Sequence, residues 1–283
     1  MSTVTVATTT NPTAIPTRDT EARTSVGRVV RSEWIKLRSM RSTWLTLAGL
    51  FVAIVAFGLI SAAVASGQVT GPSAGGPALS GTSPLQTVLA GANFGVLIVA
   101  VLGVLIGARE YSSGMIRTSL AAVPRRWPVL LGKVVTFVAV VTPVVLSGVL
   151  IAFFGGTALL TNAGVASVAW SDPHVASYVL GTVGYLVGIG VLGVALGVLL
   201  RGIGAGLGVL IGGVLFVPTL LIALLPDSWD SVLKYLPSSA GNAFTGAQTA
   251  GDALTYGQGV AVFVAWLVLA VGGATVALMR RDA

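Results

Sequence analysis

Glu33 is the residue that most invites a chemical reading. It interrupts the apolar side of a basic segment, Val29-Val30-Arg31-Ser32-Glu33-Trp34-Ile35-Lys36-Leu37-Arg38. A buried carboxylate without a partner is costly, so its chemistry is ion pairing with an Arg or Lys, in this chain or in another protein. Other chemistry is sparse. The chain has no Cys and one His, His174, which excludes thiolate nucleophiles, zinc–thiolate sites and two-His metal sites. Gly132-Lys133 continues into Val134 on an apolar stretch, so it is not a phosphate loop. No G-x-S-x-G in a strand–helix context, no H-E-x-x-H and no Walker sequence occurs. The expectation is a chain that is not an enzyme and binds no metal or cofactor of its own.

The elements that must position these residues are set by hydropathy. Of 283 residues 54% are hydrophobic and 9% charged, against about 25% charged in soluble domains. Six apolar stretches, about 44–65, 85–108, 129–154, 175–200, 203–225 and 259–279, each reach the roughly 20 residues a bilayer requires. Their runs are continuous rather than alternating, which selects helices over a barrel. The fold class is therefore all-α, a polytopic integral membrane protein with six transmembrane helices.

Charge sets the expected orientation. The chain carries 16 Lys and Arg, and all but Lys234 fall on one side if the N-terminus is inside. Cytoplasmic loops accumulate such residues, so both termini are expected inside. This explains the net charge of +7 without nucleic acid. Carriers and pumps usually need ionisable groups within the membrane. Here Lys133 is the only clear intrusion, near one end of the third stretch, and proton or sodium coupling is disfavoured.

Four segments between and before the spans carry the rest. Residues 1–25 read as a disordered cytoplasmic tail. Residues 26–42 read as an amphipathic interfacial helix. Val26, Val29, Val30, Trp34, Leu37 and Met40 lie on one side, with Arg28, Arg31 and Arg38 opposite and Arg41 at the end. A plain positive flank is the bland alternative. In the connection 109–128, Ser112 or Ser113 can cap a short helix, and Ile116, Leu120 and Val123 form its stripe. Pro124 stops it, and Arg125 and Arg126 follow where a helix C-terminus favours cations. It is either a docking element or a basic loop. The outer segment 226–258 supplies two short semi-apolar pieces, the first ended by Pro237, as half-helices or as a surface lid. Gly184 and Gly188, Gly193 and Gly197, and Gly204 and Gly208 have small-xxx-small spacing, for packing within the chain or along a homodimer seam. Asn93 falls within the second stretch, where an interhelical hydrogen bond is the commonest role.

The segments Ser32-Glu33-Trp34-Ile35-Lys36-Leu37-Arg38-Ser39, Arg109-Glu110-Tyr111-Ser112-Ser113-Gly114-Met115-Ile116-Arg117 and Leu120 through Arg126, with six spans, resemble the permease subunit of an ABC-2 type ATP-binding-cassette exporter in its compact bacterial form. The resemblance covers about residues 26–283. It implies a permease domain over 43–283 in the inner (cytoplasmic) membrane and a second permease subunit, as homodimer or heterodimer. It also implies a separate nucleotide-binding ATPase subunit that holds ATP and Mg. Glu110, Tyr111, Gly114, Arg117, Leu120, Arg125 and Arg126 would form the coupling surface, braced by Glu33 and by Trp34, Arg38 and Arg41 of the interfacial helix. Family likeness does not give the substrate. A membrane scaffold or assembly subunit is the competing reading, with a stand-alone carrier third.

Overall fold

The computed structural model describes residues 26–68, 83–112, 127–247 and 254–280. Among them every regular element is helical and no strand occurs. The chain runs through α1 (Val26–Ser39), α2 (Arg41–Ala65), the single turn α3 (Pro84–Val88) and α4 (Gly91–Ser112). It continues through α5 (Trp127–Asn162), α6 (Val175–Leu200) and α7 (Ile203–Leu224). It ends with the short α8 (Asp230–Leu233) and α9 (Pro237–Thr245) and the long α10 (Tyr256–Arg280). Six of these, α2, α4, α5, α6, α7 and α10, are long and apolar enough to cross a membrane. The chain is a multi-pass helical membrane protein.

Several boundaries depart from the hydropathy reading. The second stretch divides into two helices. Pro84 begins α3 and the Ser83 Oγ accepts a hydrogen bond from the Gln86 N–H. After the turn at Leu89 and Ala90, α4 starts at Gly91, whose missing side chain lets it sit on the backbone of Ile54. Asn93 therefore lies in the first turn of α4, at one end of the span Gly91–Tyr111. The third stretch runs on past Phe154 to Asn162, because Gly156 is used for packing against Val88 and Ala62 and not for a turn. At 36 residues, α5 is about 54 Å long at 1.5 Å per residue, well beyond a hydrocarbon core of about 30 Å. Pro237 opens α9 as its first residue, where a missing N–H costs nothing, as well as ending the preceding turn.

α4 and α6 form the tightest seam. A Cβ on Gly193 would lie 2.9 Å from the Ala100 carbonyl oxygen, and one on Gly197 2.7 Å from that of Val104. The two backbones touch, and only glycine permits it. α2 packs on α4 and α5 on its other sides, and Leu50, Ile54, Phe137 and Leu186 are wholly buried between them. α9 and α10 close against α6 through Ala240, Phe244 and Phe263. α9 is thus packed against the helical body. α7 is thinly covered and winds as a π-helix over Gly208–Phe216.

Candidate functional site

The first turns of α1 explain how Glu33 reaches the interior. Its buried residues are Val29, Glu33 and Leu37, spaced four apart, so they lie along one face and press on α5. Gly132 of α5 lets Val29 and Glu33 come close. Trp34, expected on this face, is exposed, as are Arg38 and Arg41. The reason is geometric. The stripe of packing is narrower than the apolar side, and Glu33 occupies its centre. α1 also ends at Ser39, and Met40 is an extended link, so 26–42 is not one helix.

Glu33 closes a ring of four charges from three elements. Lys36 Nζ lies 2.7 Å from Glu33 Oε1 and 2.8 Å from Glu110 Oε1. Lys133 Nζ lies 3.0 Å from Glu33 Oε2 and 2.9 Å from Glu110 Oε1. Each ammonium thus bridges both carboxylates, and the ring is neutral in sum. Glu33, Glu110 and Lys133 are 5%, 7% and 4% exposed, which is why pairing is obligatory. Lys36 is partly exposed. Burial alone would lower its pKa, but the hydrogen bonds and charges of Glu110 and Glu33 outweigh that and hold it above the ordinary lysine value.

A cavity of about 390 Å³ opens beside the ring, between α1, α2 and α4. Lys36, Arg109, Glu110 and Lys133 form its polar wall, and Leu102 and Ile106 its apolar one. At the same end, the Arg201 guanidinium stands 5.4 Å from the centre of the Tyr111 ring, a cation–π distance. Among the described residues, no group of three or more His, Cys, Asp or Glu could hold a metal ion. The ring's ammoniums and carboxylates are engaged with one another. Its chemistry is mechanical: it fixes α1 to the end of α4 and the start of α5.

Of the residues expected at the coupling surface, Glu110 and Tyr111 fall at this site. Gly114, Arg117, Leu120, Arg125 and Arg126 lie outside the described residues, as do the tail 1–25 and most of the expected coupling helix. Lys36 and Lys133 were missing from the expected site. The signal for Lys133 was its solitary charge in an apolar stretch. The glycines divide. Gly188 faces the Phe263 ring and Gly193 and Gly197 face α4, so these three pack within the chain. Gly184, Gly204 and Gly208 face nothing within 4 Å.

Fold and site together define a six-span helical membrane protein with a buried ion-pair ring at one end. No protein-family model matches the chain, and no curated protein matches it.

Proposed function

We propose that this chain is the transmembrane permease subunit of an ATP-driven ABC exporter in the cytoplasmic membrane, with both termini inside and hydrolysis on a separate ATPase subunit. One observation carries this reading: the ring of Glu33, Lys36, Glu110 and Lys133. α4 and α5 bracket the connection 113–126, and the ring ties α1 to both brackets. A push on that connection by a partner would move α1, α4 and α5 as one body. A loop that serves only to join two spans has no need of three buried charges beside it. The outward stripe of Gly204, Gly208 and Gly212 on α7, which meets nothing within 4 Å, supports a second permease subunit packed there.

The test is purification from native membranes in mild detergent, with mass spectrometry of the chains that follow. The expected result is a stoichiometric soluble protein with a phosphate-binding loop whose ATP hydrolysis rises in the complex. Arg117→Glu should break that association and leave the permease folded. A chain that purifies alone, with no ATPase bound by wild type, would point to a scaffold.

A further inference from the structure

We infer that a second cavity, far from the ring, is a binding site for an uncharged, hydroxyl-rich group such as a glycosyl head. The cavity is about 500 Å³ and lies among α2, α3, α4, α6, α7 and α9. On its walls stand the side-chain amides of Gln86, Asn93 and Asn242 and the hydroxyls of Ser61, Thr219 and Ser239. No Lys, Arg, Asp, Glu or His lines it.

Charge decides the class of occupant. An ion placed there would give up part of its hydration and meet no countercharge from the walls, which is unfavourable. Amides and hydroxyls instead supply donors and acceptors together, which is what a polyol matches. The walls also have capacity to spare. Asn93 and Asn242 make no side-chain hydrogen bond among the described residues, and the Ser239 Oγ is buried without one. Buried polar groups normally find partners; of these three only the Ser239 Oγ is buried, while the amides of Asn93 and Asn242 are open to an arriving molecule. Here an arriving ligand, or water in its absence, supplies the partners. Gln86 is held in place by donating to the Gly246 carbonyl at 3.0 Å, so at least one amide is already oriented.

The apolar part of the wall indicates where the rest of such a molecule goes. Leu215, Pro218 and Ile222 of α7 line the cavity opposite Ser61 of α2. α2 and α7 flank it without packing closely on one another. The gap between them is an apolar exit for acyl chains, so the same chemistry could arrive on a lipid or as a free sugar. That the occupant is cargo rests on the permease reading; that it binds does not.

The experiment uses the purified full-length chain in an amine-oxide detergent, free of sugar head groups, with no ATPase present. Binding of a monoglucosyl diacylglycerol and of phosphatidylglycerol with the same chains is titrated by native mass spectrometry. The expected result is at least tenfold tighter binding of the glucosyl lipid. Asn93→Leu and Asn242→Leu should each abolish that preference and leave the melting temperature unchanged, since both side chains are exposed to the cavity. Leu220→Ala, on the bare face of α7, should leave it intact. Competition by free maltose would show that the sugar alone suffices, and its failure with lipid binding intact would show a lipid-borne ligand; both uphold the site. Equal binding of the two lipids, or an undiminished preference in the Asn93→Leu/Asn242→Leu double variant, would overturn it. Neither result depends on an ATPase, so the permease proposal stands or falls separately.

Discussion

Lys133 illustrates how one residue can be conspicuous in a sequence while its purpose is not. It is an isolated charge in an apolar stretch, and Glu33 is a carboxylate on an apolar face. Each announces an unmet need. Their pairing spans 100 positions, and that of Lys36 with Glu110 spans 74, so no local pattern joins them. Lys36 is further hidden among the cations of a basic flank. The ring makes a quantitative demand on Lys133. Lys133→Met leaves two buried carboxylates to share the partly exposed Lys36. Breaking a buried pair in this way costs about 3–5 kcal/mol, to be read from thermal or denaturant unfolding in detergent. Adding Glu33→Gln removes the orphaned charge and leaves Lys36 with Glu110. The double variant should therefore recover a large part of the loss. A double variant as unstable as the sum of its singles would mean that Glu33 and Lys133 do not act on each other.

At the scale of elements, periodicity reveals which residues share a face but not which face is covered. The glycine pairs show this. Gly193 and Gly197 on α6 and Gly204 and Gly208 on α7 have the same spacing, yet the first pair meets α4 backbone and the second meets nothing within 4 Å. Ser83-Pro84 is a helix-start pair and marks where α3 begins, but the turn at Leu89 and Ala90 that parts α3 from α4 lay within one apolar stretch. The π winding of Gly208–Phe216 has no counterpart in any hydropathy pattern. Gly197→Leu and Gly208→Leu thus separate the two environments. At Gly197 the first atom encountered is the carbonyl oxygen of Val104, a backbone atom that cannot turn aside. Overpacking there should destabilise the chain by about 3 kcal/mol. At Gly208 the same side chain enters open space, and the melting temperature of the isolated chain should not fall. Equal losses at both sites would mean that α7 is covered within the chain.

For the whole molecule, function depends on which side of the membrane holds the ring. Six crossings place α1 and the end of α10 on one side and α8 on the other. The charges favour the cytoplasm for the first, since only Lys234 is stranded opposite. The absence of Cys from the chain makes this directly measurable, because any introduced thiol is the sole reporter. Ser39, Ser228 and Arg280 are exposed and none of them pairs with a ring side chain, so Ser39→Cys, Ser228→Cys and Arg280→Cys should each fold. A membrane-impermeant maleimide applied to intact cells should label Ser228→Cys alone. Ser39→Cys and Arg280→Cys should react only after the membrane is opened. The opposite pattern would turn the ring and the connection 113–126 to the outside, where no ATP-hydrolysing subunit could reach them. A permease driven from the cytoplasm would then be ruled out, however well the ring is built.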